Sequence, residues 1–419
     1  MTRSIISAAC AAVVSLCGLT ASLTAVIPAA YADGIEWEYE GLAEVEGRHF
    51  SASDNPRGLD RTRWSVSGEV TVDAYADRDN PHMRLTVFGR HDPFDDRRSH
   101  LDVRAAFVEY LWDSDALSGD VKVGLDKEFW GVLESAHLVD IINQTDFVEA
   151  IDGEDKLGQP MVQLGIGSEW GTVRLFVMPY FRERTFPGFE GRPHPGITID
   201  PHRATYESSR EEKHVDVALR YTHVIGDWDV GLSHFDGTAR APQIQPTVVG
   251  FNGRQPIIAF VPFYAQLSQT SLDLQATKGA WLLKLEALTK EELGTRHEQG
   301  GLGFEYTLYG VLDSDADLGL VGEYLWDERS KPADNAFDND VFAGIRYALN
   351  DVQSTSVLLG GIFDLDGDAI SLAVEAETRL GDAARLTVEY RGISQVNPTD
   401  PLAAFADDDF LEIRLGRFF

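Results

Sequence analysis

The sequence predicts an all-β fold, a transmembrane antiparallel β-barrel of about 18 strands, on three observations. Apolar and polar residues alternate at period two in short segments along almost the whole chain. Short turns alternate with longer connections, which puts one kind on each rim of a closed barrel. Aromatic residues gather at strand ends (Trp112, Trp170, Tyr180, Trp228, Trp281, Tyr324 and Trp326), where a membrane interface favours them. One hairpin fewer gives about 16 strands as the alternative.

Trp37, Tyr39, Gly41, Ala43, Val45 and Gly47 alternate with Glu36, Glu38, Glu40, Leu42, Glu44 and Glu46, so one face is apolar and the other acidic. Trp64 to Ala74 repeats the pattern against Arg63, Ser65, Glu69, Thr71 and Asp73. Asp77 to Pro81 is a turn by composition, and Met83, Leu85 and Val87 open the next strand. Strands follow near 100–113 and 119–127, then at 162–166 and 173–177 around Trp170-Gly171, and at 213–224 and 228–238 around Gly226-Asp227. The later chain is the most regular, with strands at 269–278, 281–291, 300–311, 317–327, 340–349, 353–363, 369–380, 384–393 and 410–419. Two long segments rich in Pro and Gly, 182–212 and 239–268, read as loops.

Arg3, an apolar run from Ile5 to Ile27 and the small-x-small exit Ala30-Tyr31-Ala32 predict a signal peptide over 1–32, leaving the barrel as 33–419. Cys10 and Cys17 leave with it, so no disulfide is expected in the mature chain. The mature chain has 35 basic against 68 acidic residues, a formal charge of −33. That excludes nucleic acid as a partner, which demands a basic footprint. No further apolar run is long enough for a helical span, whereas a barrel strand needs only about 9–11 residues with an apolar alternate face.

One segment breaks the alternation. Residues 128–157 carry Trp130, Glu134, His137, Asp140, Asn143, Asp146, Glu149 and Asp152 in a polar insertion between two strands. An insertion of this kind either projects from a rim or folds into the lumen and narrows it, and 128–157 is the candidate constriction loop. Glu134, His137 and Asp140 are metal-capable, and Ser135 with His137 suggests a hydrolase pair. A zinc site needs three or four convergent ligands and a catalytic site needs base and orienter in contact, so neither a metal nor a catalytic residue is assigned. Asp334 to Asp340 and Asp364 to Asp368 have the oxygen density of Ca2+ loops without the full EF-hand pattern, so Ca2+ bridging to lipopolysaccharide is the one ion expectation and no other cofactor is implied.

The chain ends Leu411-x-Ile413-x-Leu415-x-Arg417-x-Phe419, an alternating strand with a terminal aromatic. This ending, with the signal peptide and the loop asymmetry, resembles the outer-membrane porin superfamily over the whole mature chain. The inferred strand count makes the 18-stranded substrate-specific porins and alginate-export channels its nearest architectural relatives. Phe129-Trp130-Gly131 with Asp140-Ile141-Ile142-Asn143 and Asp146 is similar to segments of uncharacterised proteobacterial barrels. The resemblance implies a passive, non-enzymatic channel for small hydrophilic solutes; the alternative is an outer-membrane barrel whose loops carry an enzymatic or an adhesion and structural role. The resemblance also implies assembly by the barrel machinery into outer-membrane lipid and lipopolysaccharide, as monomer or trimer.

If the apolar faces meet lipid, the opposite faces line the lumen. They offer Glu36, Glu38, Glu40, Glu44, Glu46, Glu69, Asp73, Glu286, Glu305, Glu323, Glu375, Glu377, Glu389 and Glu412 against Arg63, Arg84, Lys122, Arg174, Lys284, Arg346, Arg379, Arg385, Arg391 and Arg414. Opposed charges across water make a transverse field, and the acidic excess predicts a mild cation preference. Arg182, Arg184, Arg192, His194, His202 and Arg203 form a local basic island that would neutralise the acidic insertion or hold an anionic solute.

Overall fold

The computed structural model describes residues 35–51, 57–76, 80–329, 335–398 and 400–419; the expected signal peptide and Asp334 lie outside them. The strands are β1 (Glu36–Phe50), β2 (Thr62–Tyr75), β3 (His82–His91), β4 (His100–Asp113), β5 (Ser118–Asp126), β6 (Gln159–Ser168) and β7 (Gly171–Met178). They continue as β8 (Thr205–Tyr206), β9 (Asp216–Ile225), β10 (Trp228–Thr238), β11 (Gln243–Asn252), β12 (Gln255–Tyr264), β13 (Gln266–Lys278) and β14 (Trp281–Glu292). The last are β15 (Thr295–Leu308), β16 (Asp317–Asp327), β17 (Asn339–Ala348), β18 (Ser356–Asp364), β19 (Ile370–Arg379), β20 (Ala384–Ser394) and β21 (Phe410–Phe418).

All but β8, β11 and β12 form one 18-stranded sheet. Each strand pairs antiparallel with its neighbours in the chain, and β21 returns to β1 from Leu42↔Phe418 to Phe50↔Phe410. Closure follows from the solvent. Lipid cannot hydrogen-bond a free strand edge, so a membrane-spanning sheet must have none. At the closing point Gly41 and Phe419 exchange both backbone hydrogen bonds, at 2.9 and 3.1 Å, and a Cβ on Gly41 would overlap the Phe419 ring.

The register lines apolar side chains into outward rows, such as Leu285, Leu302, Tyr324, Val341 and Phe363 across β14 to β18. One residue along, Glu286 on β14 and Leu325 on β16 turn inward and are buried. Trp170, Trp228 and Trp281 stand exposed near the short-turn rim, and Tyr180 and Trp326 near the long-loop rim. Among the described residues no helix is long and apolar enough to cross a membrane.

The segment 239–268, expected as a loop, instead holds the β11–β12 hairpin, whose strand β12 also pairs in parallel with β8 over Phe263↔Thr205 and Tyr264↔Tyr206. Pro246, Pro256 and Pro262 punctuate it. A small ribbon with open edges tolerates proline where a central barrel strand does not, which is why composition pointed to a loop.

The orientation of the outward band is testable. Leu302, mid-strand on β15 and 57 % exposed, faces lipid; Leu302→Arg is expected to lower the folding free energy in lipid vesicles by about 2–4 kcal/mol. Thr387→Arg on the inner face of β20 is expected to change it by less than about 1 kcal/mol. Equal effects in denaturant refolding titrations would reverse the assignment of faces.

Candidate functional site

The insertion between β5 and β6 lies inside the barrel, closed at its neck by Asn143. Its Oδ1 accepts from the Glu128 amide at 2.8 Å, and its Nδ2 donates to the carbonyls of Asp126 at 3.0 Å and Leu157 at 2.8 Å. Leu157 N–H donates to the Gln144 carbonyl and Asp146 N–H to the Asp155 carbonyl, so the two limbs run together. Asn143 is 2 % exposed. Its amide serves the neck.

One side of the loop is apolar and is fixed to one sector of the wall. Trp130, Val139, Ile141 and Ile142 pack with Met161, Phe176, Met178, Ala218, Phe235, Ala239 and Leu267, residues carried by β6, β7, β9, β10, β13 and the start of the 239–242 turn. Trp130 meets the Phe176 ring edge-on at 5.6 Å, and the Arg220 guanidinium lies 4.9 Å above its indole. Full burial of such side chains is worth about 1.5–3 kcal/mol each. The inner faces were expected to be polar throughout; in this sector they are not, because they pack against protein rather than water. Arg240 reinforces the contact, donating to the Ile142 carbonyl from Nε and Nη2 at 3.1 and 3.0 Å while Nη1 pairs with Asp216 at 2.7 Å.

The loop backbone follows no ladder, so its buried N–H groups need other acceptors. Two wall carboxylates supply them. Glu286 on β14, 1 % exposed, accepts from the amides of Val132 at 2.6 Å, Leu133 at 3.1 Å and Val139 at 3.2 Å. Glu323 on β16 accepts from the amides of Glu134 at 2.7 Å and Ser135 at 2.9 Å, and from the Ser135 hydroxyl at 2.6 Å. Leu133 then packs over Gly301, where a Cβ would overlap its side chain.

The remaining edge of the loop is acidic and reaches charged wall. Glu134 pairs with Arg346 at 2.7 Å and with Lys284 at 3.6 Å, and Arg346 also lies 3.5 Å from Glu305. Asp152 pairs with Arg391 at 2.8 Å, which is shared with Glu375 and Glu389. Glu149 pairs with Arg90 at 2.8 Å, and Arg90, Arg98 and Arg48 surround Glu46 at 2.9–3.0 Å. Arg48 also bonds Glu412. Burial, then Glu149 and Asp152 beside it, push the Asp155 carboxyl up to about 6. Burial raises Asp152 and Asp140 as well, against Arg391 and Lys156 respectively.

The remaining predicted site residues are placed as follows. His137 bonds Glu154 at 3.0 Å, and although burial disfavours the charged ring, that partner holds it above its ordinary value. Asp140 pairs with Lys156 at 3.0 Å, and Asp146 with Arg104 at 3.0 Å and the Thr185 hydroxyl at 2.7 Å. Arg182 pairs with Asp102 at 2.7 Å, and Arg184 lies 5.0 Å over the Phe147 ring. Arg174 lies on the wall beside Asp120, 3.8 Å away, and its charge acts on Glu128 at the start of the loop. The structure thus brings Glu134, Lys284, Glu305 and Glu286 together and places Arg174 toward the start of the loop, near Glu128. Among the described residues no group of three or more metal-ligating side chains converges. Arg240 carried no sequence signal, being one arginine in a segment that read as loop.

Between the acidic edge and the opposite wall lies a cavity of about 560 Å³, lined by Glu149, Asp152 and Asp155 on one side and Arg391, Arg414 and Glu389 on the other. A second, of about 290 Å³, borders the same Asp152 and Glu154 from the other side of the loop. The chain is a closed transmembrane barrel with a loop folded across its lumen.

No family model and no curated protein matches the chain. Among solved structures it is similar to a loop L8 deletion mutant of OmpT, an outer membrane protein of Vibrio cholerae, at 11 % identity and TM-score 0.48, over 92 % of this chain and 100 % of that one. The in-vitro folded trimer form of OmpT gives 12 %, 0.45, 92 % and 99 %. A triple mutant of Rhodopseudomonas blastica porin gives 10 %, 0.41, 92 % and 100 %. The fold assignment rests on the strand pairing itself.

Glu286→Ala strands three loop amides, of which those of Leu133 and Val139 are buried. Exchange protection at Val132, Leu133 and Val139 is expected to fall by about two powers of ten, ~3 kcal/mol of local stability, with β14 itself still protected. Glu286→Gln, which keeps one acceptor oxygen, should lose less, as read by hydrogen–deuterium exchange.

Proposed function

We propose that the protein is a passive, non-enzymatic channel of the outer membrane for small hydrophilic solutes, mildly cation-preferring, with residues 128–157 as its constriction. The observation that carries this reading is the polar cavity left between the loop and the opposite wall. Twelve carboxylates and eight guanidiniums line it, and the acidic excess lowers the energy of a cation there more than that of an anion. The two sides differ in charge. The loop brings carboxylates alone, Glu134, Glu149, Asp152, Glu154 and Asp155, while the wall brings both signs, Arg48, Arg346, Arg391 and Arg414 with Glu46, Glu375, Glu377, Glu389 and Glu412. A dipolar solute is oriented by such a field, and an apolar one gains nothing on leaving water. Ser135 and His137 have anchoring partners, Glu323 and Glu154, rather than each other, which supports transport over hydrolysis.

Single-channel recording of the refolded barrel in a planar bilayer tests the reading. Stepwise openings with a reversal potential favouring cations under a salt gradient are expected, and deletion of 132–150 should raise the conductance severalfold. No conductance in protein shown to be folded by heat-modifiable gel mobility would sink it.

The cation preference should also depend on pH. Asp155, raised to about 6, is ionised above that pH and neutral below it. The preference is therefore expected to be full near pH 8 and to weaken as pH falls through about 6. Asp155→Asn should remove most of that step, and an unchanged titration in the variant would assign it elsewhere.

A further inference from the structure

The 560 Å³ cavity meets Arg63, at the long-loop end of β2, and Arg192, in the connection between β7 and β9. Arg57 joins them around the segment 189–192. Its Nη1 donates to the carbonyls of Phe189 at 2.7 Å and Gly191 at 3.0 Å, while Arg63 Nη1 donates to the Glu190 carbonyl. Among the described residues Asp408 pairs with both Arg192, at 2.7 Å, and Arg57, at 3.7 Å. Two other carboxylates nearby, Asp92 and Asp95, are engaged. Asp92 takes Arg98 at 3.0 Å and the Phe94 amide at 2.8 Å, and Asp95 takes the amides of Gly188 at 2.9 Å and Arg97 at 3.1 Å.

Donors are left over. Arg63 is buried, with two backbone carbonyls and the Phe94 ring as partners and no carboxylate within ion-pair distance among the described residues. Arg192 is fully buried over the Phe50 ring at 4.0 Å, and its Nη1 has no hydrogen-bond partner. Two residues on, His194 is 2 % exposed with neither ring nitrogen in a hydrogen bond. Burial, with Arg57 and Arg97 beside it, pushes that ring down to about 4, so it is neutral at physiological pH and offers a donor without a charge. Like charges gathered in a low-dielectric site repel, and a buried N–H without an acceptor is costly. One ligand chemistry relieves both.

We propose that Arg63 and Arg192, backed by Arg57, form an oxyanion site at the long-loop end of the cavity, taking the carboxylate or phosphate group of an entering solute. The planar guanidinium matches both groups with paired N–H donors. The site deepens the channel reading and rests on it for its role. It gives a chain of net charge −32 a local preference opposite to its bulk field. A solute held there by its anionic end has its other end toward the carboxylates of the same cavity, which selects solutes that carry both charges.

Isothermal titration calorimetry of the folded, detergent-solubilised protein with inorganic phosphate and, separately, with acetate tests the site whether or not the barrel conducts. Saturable one-site binding of at least one anion is expected, weakened tenfold or more by Arg63→Gln and by Arg192→Gln. It should be unchanged by Arg296→Gln, which alters an exposed pair with Glu291. The tighter anion identifies which oxyanion the site prefers. Gel mobility checks that each variant is folded; should Arg192→Gln fail, Arg63→Gln breaks no carboxylate pair and decides the matter. No saturable heat with either anion, or full affinity in folded Arg63→Gln, would overturn the site and leave the channel standing. Binding without conductance would keep the site and remove the channel.

Discussion

A loop with no regular hydrogen-bond ladder can lie inside a barrel only if the wall accepts its backbone donors. Glu286 and Glu323 meet that constraint, together taking five loop amides and a hydroxyl. The position of the acidic edge depends on them. With residues 132–139 pinned to β14 and β16, Glu134 falls beside Lys284 and Arg346. The other limb is then held by Arg90 through Glu149 and by Arg391 through Asp152. Each of these wall side chains is charged, yet its work is different. The two buried glutamates satisfy backbone groups, whereas the arginines face the cavity.

The lumen is therefore divided by chemistry as well as by space. From β6 to β13 the inner face carries Met161, Phe176, Met178, Phe235 and Leu267, and the loop covers it with Trp130, Val139, Ile141 and Ile142. From β17 round to β3 the inner face carries arginines and carboxylates. Apolar burial holds the loop to the first sector without direction, and ion pairs set its distance from the second. Partly buried ion pairs recover little beyond their desolvation cost. The apolar contact and the amide acceptors supply the binding of the loop, and the ion pairs supply its register.

Much of this was legible in the sequence. Period-two alternation gives strand position, so all 18 barrel strands emerge from one pattern. The β11–β12 hairpin was hidden because proline argues against a strand only where both edges are paired. The apolar sector was hidden for another reason. Where both faces of a strand are apolar, as around Met161 and Phe176, alternation cannot say which faces lipid. The insertion announced itself by failing to alternate, but the roles of its residues depended on partners far away in sequence. Asn143 turned to its own neck, and Glu286 met Val132 across 154 positions.

The same limit explains why the bulk charge is a poor guide to the interior. The acidic excess is spread over the whole chain, but the potential felt in the cavity depends on which carboxylates are left unspent. Glu286 and Glu323 are consumed by amides, Asp146 by Arg104 and Thr185, and Asp408 by Arg192. What lines the space is the loop edge from Glu149 to Asp155, where Glu149 shares Arg90 and Asp152 shares Arg391, against Arg391 and Arg414, with Arg63 at the long-loop end. In the channel proposed above, a passing ion would meet basic and acidic groups in sequence. Selectivity in such a passage is decided by their order along the path, which the fold sets through strand register, and not by their sum.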